Sequence, residues 1–327
     1  MKSNILKQKL SEELIINKYL SRLNFNKVGT YNFKNDASYV KLNKNRKFVI
    51  TTDSISENID FFKDDDPKSI ACKIITSNLS DLSSMGVMPY AYSLNLFLPK
   101  YVDQVWLRKF TNELCKIQKK YSFYLLGGDL SSSKTLKISS TFFGISKYNK
   151  VISQNKVKSN QDIWITGNLG DSYVGLQIIK KKIDVKVSKI KNYFINKYYY
   201  PKPCMIGSEL SRHVTSMIDI SDGFVGDLKK MLNNKYGAMI DFNSLPVSLY
   251  TNKLLNRKIL KKKYIFNTGD NYELIIVSNK EKRNKILKIA KKNKIKISLV
   301  GKISTKFGIS DDSNNTLDIP KEFDHFR

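Results

Sequence analysis

Short apolar runs recur along this chain, each closed by an acidic, polar or glycine-rich turn and most followed by residues with helical spacing. Phe48 to Thr52, Tyr90 to Leu98, Phe123 to Leu126, Ile138 to Ile145, Ile163 to Thr166, Met217 to Ile220 and Leu274 to Val277 read as strands. Between them, Pro67 to Met85, Val102 to Lys120, Asp171 to Lys181, Phe224 to Leu232 and Lys280 to Lys292 read as helices. Pro67 to Met85 is the clearest, with Asp66 in the N-cap position, Pro67 in the first turn, and Ile70, Ile74 and Leu82 on one side. Such alternation restricts the fold to an α/β or α+β protein. The polar stretch Lys147 to Asn160 reads as a linker, dividing the 327 residues into domains 1–148 and 149–327.

A net charge of +28 invites a nucleic-acid or anionic-membrane partner. The composition argues otherwise. Arginine occurs only at Arg22, Arg46, Arg108, Arg212, Arg257, Arg283 and Arg327, and the lysines are scattered rather than packed into one arm. An AT-biased genome enriches Lys, Asn, Ile and Tyr together, whereas base-reading surfaces favour the arginine fork. No specific nucleic acid and no membrane are therefore expected as partners. Cys72, Cys115 and Cys204 match neither a disulfide framework nor a metal-ligand spacing, and no run approaches the length of a membrane span. A cytoplasmic location is the expectation.

In so basic a chain, the positions of the acids are informative. Asp53 follows the run Phe48 to Thr52, Asp129 follows Leu125-Leu126-Gly127-Gly128, and Asp219 and Asp222 bracket Ile220-Ser221 before Gly223. Carboxylates at strand ends can converge, and hard oxygen ligands suit Mg²⁺ bridging a polyphosphate. Glycines at 127, 128 and 223 let backbone amides approach phosphate oxygens. Asp81 shares a helix face with Asn78, beside the apolar Ile74, where a carboxylate wants a hydrogen-bonding partner or a metal. Each position has a plain alternative as a turn former or helix cap, so the set carries the reading.

These residues fall in stretches that closely resemble the thiamine-monophosphate kinase family. They are Thr51-Thr52-Asp53-Ser54-Ile55-Ser56-Glu57, then Asn78-Leu79-Ser80-Asp81-Leu82-Ser83-Ser84-Met85-Gly86 with Pro89, and Gly127-Gly128-Asp129 with Ser131. Thr166-Gly167-Asn168-Leu169-Gly170-Asp171-Ser172, Asp219-Ile220-Ser221-Asp222-Gly223 with Asp227, and Tyr272-Glu273-Leu274 follow in the family's order. The resemblance implies the two-domain aminoimidazole ribonucleotide synthetase-like fold: an N-terminal α/β domain whose sheet pairs in a homodimer, and a C-terminal α/β domain. It implies transfer of the γ-phosphoryl group of ATP to thiamine monophosphate, with several Mg²⁺ ions and K⁺ as a further candidate.

Carried over by position, Asp36, Asp53, Asp81, Asp129, Asp219 and Asp222 are the implied metal ligands, with Asp129 and Asp222 at the catalytic centre. Asp36, Thr52, Gly127, Gly128, Asp129 and Ser221 are implied around ATP, and Asp60, Asp270 and Phe326 around the acceptor. An acceptor phosphate oxygen is already ionised near neutral pH, so positioning and charge neutralisation should supply most of the rate. The scarcity of histidine, His213 and His325 alone, fits that chemistry, and no P-loop motif is present.

Three positions depart from the family's pattern. Lys34-Asn35-Asp36 stands for Gly-Asp-Asp, Asp60 stands for a histidine, and Gly269-Asp270-Asn271-Tyr272-Glu273-Leu274 has Asn271 for a carboxylate, although an amide oxygen can still ligate a metal. Among related enzymes, selenophosphate synthetase calls for a reactive N-terminal Cys absent from Met1 to Tyr31, and a hydrogenase-maturation relative for a terminal Cys where Asp324-His325-Phe326-Arg327 stands. Aminoimidazole ribonucleotide synthetase itself, and a basic nucleic-acid binder on a former kinase scaffold, are the remaining alternatives.

Overall fold

The computed structural model describes residues 11–27, 30, 33, 37–38, 40 and 45–311. Asp36, Asn35 and Phe326 lie outside them. The described chain divides into two compact units: the N-terminal segments up to 40 with 50–75 and 89–143, and a second unit of 45–49, 76–88 and 144–311.

The first unit begins with the short helix α1 (Glu12–Ile15) and carries most of β1 (Phe48–Ser56), the first half of α2 (Pro67–Ser84), most of β2 (Val87–Leu98), α3 (Gln104–Tyr121), β3 (Tyr124–Ser132) and most of β4 (Lys137–Ser146). The four strands form one sheet in the order β1-β4-β2-β3. Along β4 every second residue is buried, as expected of a strand with one face on a core. Tyr92, Phe123 and Phe142 meet on the buried side, with ring centroids 4.9 to 5.5 Å apart. The α3 helix forms because Leu107, Phe110, Leu114 and Gln118 recur at helical spacing on its buried face. Asp103 caps its start by accepting from the Trp106 N–H at 2.8 Å, and Ser122 ends it in the left-handed conformation.

The second unit holds β5 (Asp162–Thr166), α4 (Asp171–Ile179), α5 (Ser188–Tyr199), α6 (Gly207–Leu210), β6 (Ser216–Asp219), α7 (Phe224–Leu232), β7 (Gly237–Ile240), α8 (Leu249–Asn256), α9 (Lys262–Ile265), β8 (Leu274–Ser278), α10 (Arg283–Lys292), β9 (Ile297–Ser304) and β10 (Gly308–Ser310). Its sheet runs β10-β7-β9-β5-β8-β6. Every residue of β5 and β8 is buried, because the sheet separates two cores. Ile163, Ile165, Ile275 and Val277 face one with Phe194 and Phe224; Trp164, Leu274 and Ile276 face the other with Ile286. Continuous apolar runs are what strands covered on both faces require. Trp164 keeps its indole satisfied by donating to Ser278 Oγ at 3.1 Å, and Arg283 clamps the buried Asp162 through two bonds of 2.6 and 2.7 Å.

The helices and strands expected from the sequence are present, with altered limits. β2 starts at Val87, and the expected helix Lys280 to Lys292 is a 3₁₀ turn, Lys280–Lys282, leading into α10. Among the described residues, no helix is long and apolar enough to cross a membrane.

Candidate active site

Two acids expected at strand ends sit within strands instead. β1 continues through Ser56 and β3 through Ser132, so Asp53 and Asp129 lie mid-strand. The polar residues that follow them keep pairing, which the apolar runs alone did not reveal. Asp53 and Asp129 occupy the two edge strands of the four-stranded sheet, with β4 and β2 between them.

In the first unit, the β2–β3 pairing carries a bulge: Tyr92 pairs with Leu125, Ser93 with Gly127, Leu94 with Gly128 and Asn95 with Asp129. Gly128 is required there, because a Cβ would stand 1.8 Å from the Leu94 carbonyl oxygen. The same residues line a cleft of about 490 Å³, whose walls include Ser38, Asn95, Gly127, Gly128, Asp129 and Phe143. Ser38 closes one side by donating to the Leu126 carbonyl at 2.6 Å, and Ser131 donates to Asp129 Oδ2 at 3.0 Å. Thr52 pairs across the sheet with Thr141 at 2.9 Å between hydroxyls. Asp60 accepts from the Ser56 N–H at 2.7 Å, while Lys73 donates to its carbonyl at 2.9 Å, so this acid folds back on its own turn.

In the second unit, Asp219 ends β6 and is buried, and the chain turns through Ser221-Asp222-Gly223 into α7. The turn is shaped from inside. Asp227, 1% exposed, accepts the N–H groups of Ser221, Asp222 and Gly223 on one oxygen, each at 3.1 Å. Its other oxygen takes Lys230 at 2.8 Å, and Lys230 also donates to Asp222 Oδ2 at 2.6 Å. Burial pushes the Asp227 carboxyl up from its ordinary value, against the pull of Lys230. Four donors around it favour the ionised form. Burial works against the Lys230 charge, but its bonds to Asp222 and Asp227 outweigh that and hold the ammonium above its ordinary range.

The same turn is joined to the segment around Asp270, whose N–H donates to the Ser221 carbonyl at 2.9 Å. Asp270 in turn accepts from the Tyr272 hydroxyl at 3.0 Å. Asn271 is held by the backbone: it accepts from the Gly170 N–H at 2.8 Å and donates to the Thr268 carbonyl at 2.6 Å. The amide oxygen thus clamps the loop with one lone pair and keeps a second. Glu273 accepts from Thr166 Oγ1 at 2.6 Å, and burial pushes its carboxyl up to about 7. A polar cavity of about 30 Å³ beside it is lined by Ser172, Lys197, Lys202 and Asp270.

Asp81 is half-buried on α2, near the fully buried Asn78 and Ser80. Part of its signature is structural: Ser83 donates to the Cys204 carbonyl at 2.6 Å and accepts from the Gly207 N–H at 3.2 Å. Asp171 likewise serves the fold, accepting from the hydroxyls of Tyr193, Ser248 and Thr251 at 2.5 to 2.7 Å. Sequence reasoning gave no role to Asp227 or Lys230. An acid four residues beyond a helix-opening glycine was the available signal for the first.

Among the described residues, no group of three or more His, Cys, Asp or Glu side chains is gathered as a ready metal cage. The acids nevertheless suit a hard cation. Asp222 already holds a cation of the protein's own, the Lys230 ammonium, and oxygen donors are what Mg²⁺ selects.

The sequence matches the AIR synthase related protein, N-terminal domain over residues 34–146 and the AIR synthase related protein, C-terminal domain over 158–311. Thiamine-monophosphate kinase of Buchnera aphidicola subsp. Schizaphis graminum is 36% identical over 299 residues, covering 89% of this chain and 91% of that protein. Thiamine-monophosphate kinase of Haemophilus influenzae is 30% identical, covering 89% and 90%. Among solved structures, thiamine-monophosphate kinase from Stenotrophomonas maltophilia superposes with a TM-score of 0.79 at 24% identity, covering 87% of this chain and 90% of that one. AaThiL complexed with AMPPCP and TMP gives 0.77 at 21%, covering 89% and 91%. The two-sheet α/β fold is therefore that of the AIR synthase related proteins, and within them the chain belongs to the thiamine-monophosphate kinase family.

Proposed function

We infer that the protein phosphorylates thiamine monophosphate with ATP, giving thiamine diphosphate and ADP. The observation that carries this reading is likeness, at 30 to 36% identity over nine-tenths of the chain, to thiamine-monophosphate kinases, with the Asp219-to-Gly223 turn built as a rigid acidic element. A phosphate oxygen of the acceptor bonds to the γ-phosphorus as the bond to the ADP oxygen breaks, in line. Neither another superfamily acceptor nor nucleic acid is favoured by the relatives.

In this reading Asp36, Asp53, Asp81, Asp129, Asp219 and Asp222 hold Mg²⁺, which when bound would neutralise charge on the polyphosphate. Gly127 and Gly128 leave the cleft wall without side chains where the triphosphate would lie, and Thr52 and Ser221 offer hydroxyls to it. Asp129 and Asp222 are assigned the catalytic roles. Asp60, Asp270 and Phe326 are assigned to the acceptor. The chain's own contribution is to orient two anions, without a general base. K⁺ as a further ion, a homodimer, a cytoplasmic location and functional halves 1–148 and 149–327 complete the proposal.

The test is conversion of thiamine monophosphate to thiamine diphosphate by purified protein with Mg²⁺ and ATP, beside Asp222→Asn. Product from the parent and at least a hundredfold less from the variant is the expected result. Folded parent protein that binds Mg²⁺-ATP yet yields no product over a range of Mg²⁺ and K⁺ would sink the assignment.

A further inference from the structure

We propose that Lys230 is the resident counter-cation of Asp222, tethered by Asp227, and that a divalent cation must displace it to reach that carboxylate. This rests on reading Asp222 as a metal ligand. Three observations support it. Lys230 spans two acids, donating to Asp222 Oδ2 at 2.6 Å and to Asp227 Oδ1 at 2.8 Å. The two contacts differ in kind: the Asp227 side chain is 1% exposed, whereas the side chains of Lys230 and Asp222 are 45% and 42% exposed. The buried contact anchors the ammonium, and the solvated one opens at low cost, because water screens an exposed ion pair.

The third observation is the backbone. Asp227 gathers the Ser221, Asp222 and Gly223 N–H groups onto one oxygen, which fixes where the Asp222 side chain leaves the turn. The turn also lies close against the neighbouring loop, where a Cβ at Gly223 would stand 2.7 Å from the Asn267 carbonyl carbon. Asp227 is thus a positioning residue for Asp222, and Lys230 keeps two neighbouring carboxylates from repelling one another while no metal is bound.

The experiment titrates Mn²⁺ into the full chain without nucleotide, following free Mn²⁺ by electron paramagnetic resonance. It compares the parent with Lys230→Met, Lys230→Arg, Asp227→Asn and Asp222→Asn, each checked for folding by circular dichroism. Removing the competitor in Lys230→Met tightens Mn²⁺ binding about twofold to fivefold, the range set by an exposed ion pair. Lys230→Arg keeps the charge and stays near the parent. Asp227→Asn loosens the turn and weakens Mn²⁺ binding, and in steady state it lowers kcat more than it raises KM for the acceptor.

Unchanged or weaker Mn²⁺ binding in Lys230→Met, with binding lost in Asp222→Asn, overturns the displacement while leaving the metal-site reading intact. Unchanged Mn²⁺ binding in Asp222→Asn overturns both. Because the readout is metal affinity without substrate, neither result depends on which acceptor the enzyme phosphorylates.

Discussion

Replacing Glu273 by glutamine should make the protein more stable at alkaline pH and remove a pH dependence that the parent carries. The carboxyl stands at about 7 against an ordinary 4.5, with burial as the main cause. Between those values the folded state keeps a proton that the unfolded chain releases. Stability from this group is therefore full below about 4.5 and is lost as pH rises through about 7. At ~1.4 kcal/mol per tenfold, the gap is worth at most about 3–4 kcal/mol. Glu273 is only partly covered as a residue and borders a polar cavity, so water reduces the figure to about 1–2 kcal/mol.

Glutamine retains an acceptor for the Thr166 hydroxyl and for the Asn168 N–H. The assay is the thermal midpoint of parent and Glu273→Gln between pH 5 and pH 8.5, reading the difference so that all other titrations cancel. The parent should fall by about 1.5–3 °C relative to the variant across that range. A flat difference, or a parent that gains on the variant with rising pH, would refute the claim that a buried carboxylate is being forced to ionise.

Other expectations follow from the same contacts. Phe194→Ala empties a fully buried site packed edge-on to Tyr193 and Tyr250, and should cost about 3–5 kcal/mol by urea unfolding. Gly128→Ala drives a methyl into the Leu94 carbonyl, so amide exchange at Asn95 and Asp129 should rise and ATP-analogue binding should fall. Asn271→Asp sets a carboxylate oxygen against the Thr268 carbonyl now bonded at 2.6 Å, lowering stability by about 1–3 kcal/mol by the same unfolding assay.

What the sequence discloses depends on how local the cause is. The α7 helix is legible to the residue because Gly223 opens it and its apolar residues keep helical spacing. β5 and β8 are legible because strands covered on both faces need unbroken apolar runs. β7 and β10 were not legible. Each is three or four residues long, opens on glycine and is stabilised by partners elsewhere in the sheet. The α5 helix was hidden by Ile and Tyr, residues that favour strands unless packing overrules them, as the many contacts of Phe194 do here.

The acids divide in the same way. That they mattered could be read from the motifs, but which served the fold depended on distant partners. Asp171 meets Ser248 and Thr251, and Asn271 meets Gly170, none of them near in sequence. Asp227 acts over six residues or fewer, yet its role appears only once three N–H groups are seen to share one oxygen.

The pairing of β5 also constrains the order in which the chain can mature. Ile163 pairs with Val277 on one side and Gly301 on the other, and β6 finds its partner only in β8. During synthesis, β5, one of the two central strands of the six, must wait for more than a hundred later residues before either neighbour exists. Until then its isoleucines and Trp164 are open to any passing strand or chaperone. Ribosome-bound chains halted before β8 should therefore be sensitive to protease throughout this unit, with resistance arriving in one late step.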